Sequence, residues 1–215
     1  MPAFTTDSYL IPKLDDDSVF EFETEVKKSR FIIFLKKAQS RTDALKLQSD
    51  LKGLYPDASH HCLAFVAGPP EGNTVIGFDD DGEPGGTAGK PMLNVLQHKK
   101  IGEIVAVVVR YFGGTKLGAG GLIRAYGSAV QAAVDHLPVM ERIAMIEGQL
   151  QTAYQNEQGI RYTLGILGGS IVNSQYTDDV MLELALPESL KLDFESRVTE
   201  SCKGQVTFKW PDKKC

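Results

Sequence analysis

The sequence predicts an α+β protein of two domains, residues 19–137 and 138–215. Three observations carry that expectation. Strand-like alternation and helix-like periodicity succeed each other along the whole chain. Pro138 interrupts the pattern, and the rhythm starts again after it. The second part then reads strand, helix, strand, strand, helix, strand, the order of a split βαβ unit.

Taken in order, residues 1–18 are polar, carry two prolines and an Asp15–Asp17 run, and read as a loosely tied arm. Val19–Val26 alternates, with Phe20, Phe22, Thr24 and Val26 on one face and Glu21, Glu23 and Glu25 on the other. That is a half-buried strand. After a polar Lys27-Lys28-Ser29 corner, Arg30–Lys36 forms a second strand. Ser40 is the expected N-cap of a helix over Thr42–Leu54 that carries Leu45, Leu47, Leu51 and Leu54, and Gly53 and Pro56 stop it. Strands follow at His61–Ala67 and Thr74–Phe78, separated by a turn over Gly68–Asn73. A long turn-rich loop, Asp79–Pro91, leads to a short helix at Met92–Gln97 and a fifth strand at Glu103–Arg110. The best-defined helix is Leu122–Leu137, where Leu122, Tyr126, Ala129, Val130, Ala133, Val134 and Leu137 recur at spacings of three and four.

Beyond Pro138, strands are expected at Arg142–Tyr154, Ser170–Gln175, Val180–Leu186 and Gln205–Lys209. Helices are expected at Gln155–Leu167 and Glu188–Ser201, the latter started by Pro187 at N1. This order fits a ferredoxin-like βαββαβ domain.

Composition narrows the function. The net charge is −5, with 15 basic and 17 acidic residues before Pro138 and 8 against 11 from there on. Binding nucleic acid through overall charge is therefore excluded, and a local basic patch is not. Three scattered cysteines, Cys62, Cys202 and Cys215, do not make a disulfide framework and favour a reducing compartment. The N-terminus lacks a signal-peptide pattern, and no apolar run approaches the roughly 18 residues of a membrane span. The expected location is cytoplasmic, with no membrane partner.

The stretch Arg110–Gly121, RYFGGTKLGAGG, lies between a β-branched strand and the best helix. Strand, glycine loop and helix can present backbone N–H groups to an anion. Lys116 sits within the stretch, and Arg110 and Arg124 flank it. It is not a Walker A loop, because Thr115 and Lys116 stand in the wrong order. Nor is it a dinucleotide fingerprint, since Ile123 follows Gly118-x-Gly120 where a glycine is required. What remains is a general anion cradle, set against a plain turn whose glycines only let strand and helix pack closely.

The Asp79–Lys90 loop offers Asp79, Asp80, Asp81 and Glu83 to a hard cation, yet an EF-hand is ruled out by Pro84 and Lys90 at its required Gly and Glu positions. An acidic turn with local backbone bonds is favoured over a metal site. A phosphate-facing role for Thr87, Gly89 and Lys90 is the better functional reading. His60-His61-Cys62 lacks a second ligand pair, and His61 points away from the face shared by His60 and Cys62. Neither a metal site nor a Cys–His nucleophile is expected there.

Four segments together resemble one family: KSRFI (Lys28–Ile32), HHCLAF (His60–Phe65), DDGEPGGTAGKP (Asp80–Pro91) and VVVRYFGGTKLGAGGLIRAYG (Val107–Gly127). They are similar to the IMPACT/YigZ family over most of residues 20–135, and the C-terminal part looks like that of bacterial YigZ-type members. The resemblance implies an N-terminal domain similar to the second domain of a small-subunit ribosomal protein. It also implies a C-terminal domain similar to the last domains of elongation factor G. Eukaryotic members act in translational control by inhibiting the kinase that phosphorylates an initiation factor, through an extra N-terminal partner-binding domain. The short polar segment before residue 20 does not supply that domain, so this mechanism is not carried over. The family brings no catalytic residues with it.

The expected function is thus a cytosolic, non-enzymatic binding protein for RNA or the ribosome and translation machinery, linked to regulation of translation. Phosphate would be held by Thr87, Gly89, Lys90, Arg110, Gly113, Gly114, Thr115, Lys116, Gly118, Gly120, Gly121 and Arg124. Tyr111 and Phe112 would offer stacking surfaces to bases. No cofactor or metal is expected. The alternatives are an enzyme on a phosphorylated small molecule or nucleotide, with a divalent cation and Asp80, Asp81 or Glu83 as ligand or base, and a protein-interaction module using the C-terminal sheet.

Overall fold

A computed structural model describes residues 8–71 and 74–211. It divides into two α+β units, one spanning Tyr9–Arg142 and the other built, among the described residues, from Ser8 and 143–211. Residues 1–7, Gly72, Asn73 and Cys215, on which parts of the arm, turn and cysteine readings fall, lie outside the described residues.

The first unit contains β1 (Ser8–Pro12), β2 (Phe20–Val26), β3 (Ser29–Lys37), α1 (Arg41–Leu54), β4 (His60–Val66), β5 (Ile76–Asp79), α2 (Gly89–His98), β6 (Ile104–Tyr111), α3 (Ala119–His136) and β7 (Val139–Ile143). Its main sheet runs β2-β3-β6-β4-β5, and every neighbouring pair is antiparallel. Helices cover both faces, so the three central strands read as nearly continuous apolar runs. Phe31, Ile33 and Leu35 of β3 join Cys62 and Ala64 of β4 and Ala106 and Val108 of β6 beneath α2 and α3. Their alternates, among them Ile32, Phe34, Leu63, Phe65, Val105, Val107 and Val109, pack against α1. The period-two rule therefore decides which side chains of β4 and β6 can reach α3.

Several boundaries differ from the sequence expectation for physical reasons. Residues 8–12 are not a loose arm, because Tyr9 and Ile11 are buried and β1 forms a two-stranded sheet with β7. Ser40 does cap α1, accepting from the Asp43 N–H at 3.1 Å. The buried face of α1 is Ala44, Leu47, Gln48 and Leu51, while Leu45 and Leu54 are exposed. Both α2 and α3 begin three residues before their predicted starts, so Gly89, Lys90, Gly120 and Gly121 are helical rather than loop residues. Pro138 ends α3 without ending the unit, since β7 follows it and the division falls between Arg142 and Ile143.

In the second unit, β8 (Met145–Thr152), α4 (Glu157–Ile166), β9 (Ser170–Tyr176), β10 (Val180–Pro187), α5 (Lys191–Ser201) and β11 (Val206–Lys209) form a sheet ordered β11-β8-β10-β9. The single strand expected over 142–154 is split between β7 and β8. Pro187 leads into a short 3₁₀ turn, and α5 starts only at Lys191. Leu182, Leu184 and Leu186 of β10 meet Ile160 and Leu164 of α4 and Phe194 and Val198 of α5, which places both helices on one face.

Candidate functional site

Arg110 lies on the β6 face beneath α3, between Phe31 of β3 and His60 of β4, its register partners. An arginine at an inward position of an apolar strand needs a buried partner. Glu83, from the loop before α2, supplies it with Oε1 2.5 Å from Arg110 Nη1. Tyr126 of α3 donates to the same Oε1 at 2.8 Å, and the Cys62 thiol donates to the Tyr126 oxygen at 3.3 Å. Arg110 Nη2 reaches Ser29 Oγ at 3.4 Å. Burial pushes the Cys62 thiol well up, assisted by the charges of Glu83, Asp81 and Asp80, so it is an inert core thiol rather than a nucleophile. The Tyr126 phenol is likewise raised, by burial and then by Cys62 and Glu83. Arg110 is only 5% exposed. The two glycine-containing loops thus meet at an internal ion pair, which engages the arginine expected to face a ligand.

The loop before α2 supplies its own anion. The Asp80 carboxylate accepts from the N–H groups of Gly86 at 2.7 Å, Ala88 at 3.1 Å and Gly89 at 2.8 Å. The backbone groups expected to meet phosphate are therefore already bonded. Asp79 accepts from the Asp81 N–H, and Asp81 binds the His61 N–H at 2.7 Å and the Lys52 ammonium at 2.6 Å. Partial burial opposes the charge on Asp81, but Lys52 and the His61 amide outweigh it and hold the carboxyl below its usual range. Thr87 is buried, and its hydroxyl donates to Pro84 O. A Cβ on Gly89 would come within 2.9 Å of the Leu63 carbonyl, so this glycine serves close packing. Lys90 alone of the three residues expected here is exposed. Among the described residues no cluster of His, Cys, Asp and Glu is placed to hold a metal.

The loop before α3 is organised differently. Gly113 packs directly on the β2–β3 turn, where a Cβ would fall 1.9 Å from Lys28 C, and its N–H donates to Ser29 Oγ at 3.2 Å. Gly118, the residue before α3, has φ 71° and ψ 164°, a region only glycine occupies readily. Helix α3 has no side-chain cap and no acidic residue in its first turn. Thr115, Lys116, Gly118, Gly120 and Arg124 are exposed there. Arg124 folds back along the helix, with Nη1 3.9 Å from a Cβ built on Gly120. Phe112 is 51% exposed, and the Arg110 guanidinium lies 5.9 Å from its ring centre. Tyr111 is held more firmly, hydrogen-bonded to Asp57 and covered by Arg30. Helix N–H groups without a side-chain cap, two cations with no ion-pair partner among the described residues and an accessible aromatic ring make a surface suited to an anion that carries a flat ring.

Residues 27–134 match the profile of the Impact N-terminal domain, and residues 150–205 match a domain of unknown function, DUF1949. The chain is 42% identical over 200 residues to the IMPACT family member YigZ of Escherichia coli K12, covering 93% of this chain and 96% of that protein. The chain belongs to the IMPACT/YigZ family. Its similarity extends to the IMPACT family member YvyE of Bacillus subtilis, 36% identical over 189 residues, with 88% and 86% of the two chains covered. A crystal structure of a hypothetical protein superposes with a TM-score of 0.65 at 39% identity, covering 98% of this chain and all of the other.

Within this IMPACT/YigZ member, sequence reasoning missed the Glu83–Arg110–Tyr126 node and the Asp80 cap. The node carried a usable signal: Arg110 falls in phase with Ala106 and Val108, an inward position that requires a carboxylate. The cap carried none, because Asp80 lies nine residues before Gly89, outside the three-residue spacing of a capping box.

Proposed function

We propose that this protein is a cytosolic binder of RNA or of ribonucleoprotein in the translation machinery, and that the glycine loop and first turn of α3 hold backbone phosphate. One observation carries the reading: α3 begins with no acid and no cap, and Arg124 folds over its first turn. A cation at the positive end of a helix is unfavourable by about 0.3–1 kcal/mol, unless an anion sits there with it. Lys116, Thr115, Gly118, Gly120, Gly121 and Arg124 form the phosphate-binding group, and Phe112 presents its outer face to a base. Arg110, Thr87, Gly89 and Gly113 act from inside, shaping the loops. The enzyme reading loses support, because Asp80, Asp81 and Glu83 all accept bonds from the protein itself. The β8-α4-β9-β10-α5-β11 order supports a ferredoxin-like second domain, akin to the terminal domains of elongation factor G. An N-terminal domain akin to the second domain of a small-subunit ribosomal protein agrees with this reading.

Filter binding of short single-stranded RNAs over a salt series tests the reading. Log affinity should fall with log salt by about 0.7 for each phosphate contacted. Lys116→Ala with Arg124→Ala should reduce that slope by about 1.4. Absence of binding at low salt, or a slope unchanged by the double substitution, would sink it.

A further inference from the structure

The turn joining β2 to β3 is a two-residue hairpin loop, with Val26 paired to Ser29 on either side of Lys27 and Lys28. Both lysines have positive φ, 48° and 68°. Positive φ at both central residues is the type I′ pattern, which Asn-Gly fills with least strain because a side chain with a full Cβ is crowded there. A turn needing only solubility and register would be better served by those small residues. Two lysines hold this conformation instead. Neither lysine has an ion-pair partner among the described residues, and both are exposed. The neighbouring Arg30, by contrast, is bound by both carboxylate oxygens of Glu23 at 2.7 Å.

The position of this turn is fixed against the glycine loop. Lys28 backbone atoms fill the space a Gly113 side chain would need, and Ser29 Oγ accepts the Gly113 N–H. The hairpin tip that carries both lysines therefore lies beside the loop that carries Lys116 and leads to α3.

We infer that the Lys27-Lys28 hairpin tip is a second phosphate-binding element, extending the α3 surface so that it takes the backbone of a single-stranded oligonucleotide rather than an isolated phosphate. This rests on the proposed function. The strained turn places two cations next to the first contact, and successive phosphates of one strand bridge the tip and the helix end. The chemistry required of the ligand is a flexible polyanion with bases free to stack on Phe112.

The Lys27→Asn/Lys28→Gly variant separates fold from function, because it relieves the turn while removing its charge. Its melting temperature should rise by roughly 3 °C. Its affinity for a single-stranded RNA should fall by roughly 10- to 30-fold at 0.1 M salt, with the salt slope reduced by about 1.4. Amide shifts of Gly113–Arg124 on titration with inorganic phosphate should match those of the wild type. A Lys27→Arg/Lys28→Arg variant, which keeps the charge, should retain RNA affinity and slope. If the Asn-Gly variant binds RNA with the wild-type slope while Lys116→Ala with Arg124→Ala does not, the inference fails and the α3 reading stands. If the wild type binds no RNA at low salt, both fail together.

Discussion

Helices α2 and α3 both start beside glycines, both follow a turn-rich loop and both pack on the same face of one sheet, yet their N-termini are finished in opposite ways. At α2 three N–H groups converge on one carboxylate of the chain, Asp80, and Asp79 and Asp81 brace the loop that delivers it. At α3, among the described residues, no side chain caps the helix and its first turn holds no acid, and Arg124 lies across the turn. The positive helix end is neutralised by a carboxylate of the chain at α2, and no such carboxylate meets it at α3 among the described residues. Glycine-rich loops before helices are therefore not equivalent as anion sites; what matters is whether the protein has already supplied the anion.

Emptying the filled end should give the largest effect. Asp80→Ala removes the acceptor of three N–H groups and should cost about 2–3 kcal/mol, read as a lowered urea midpoint. Asp80→Asn, which keeps an acceptor, should cost less. A change within error for the alanine variant would mean that water replaces the carboxylate freely, and the contrast between the helices would lose its energetic basis.

Filling the open end is the reciprocal experiment. Gly120→Glu meets no crowding beyond the tip of Arg124 and puts an acid in the first turn, four residues before that arginine. Stability should increase by about 1 kcal/mol, from the removal of a helical glycine and the favourable charge, and RNA binding should be lost. Gain of stability without loss of binding would move the ligand elsewhere.

The smallest effect concerns acid. The folded-state pKa of Asp81 is held below its unfolded value of about 3.9. Its contribution is therefore complete above that value and disappears as pH falls through the lower, folded one. Hydrogen exchange, corrected for its intrinsic pH dependence, should accelerate for amides of residues 79–89 in that range. Amides of residues 113–121, a stretch without a carboxylate, should not follow; parallel acceleration in both loops would show global unfolding instead.

Much of this architecture was legible in the residues. Val19–Val26 and the Leu122–Leu137 periodicity identify their elements because each has one wet and one dry face. Strand β1 was hidden because a few apolar residues among prolines and acids look like an arm until a partner strand, far away in sequence, buries Tyr9 and Ile11. Of the candidate site, the glycine loop and its cations could be read from spacing. What could not be read is how each charge is used. Arg110 and Arg124 are equally basic on paper, and only register and folding of the chain place one on Glu83 and the other over an uncapped helix. Asp80 shows the same limit from the acidic side.

One consequence of the Arg110 node concerns the order of events during folding. Its bonds join residues 27, 43 and 81 positions apart, from Glu83 to Arg110, Glu83 to Tyr126 and Ser29 to Arg110. Closing such long loops is slow and entropically unfavourable until most of a sheet exists. The surface around the glycine loop is thus among the last features to mature, and a nascent chain lacks it until β3, β6 and α3 have all assembled.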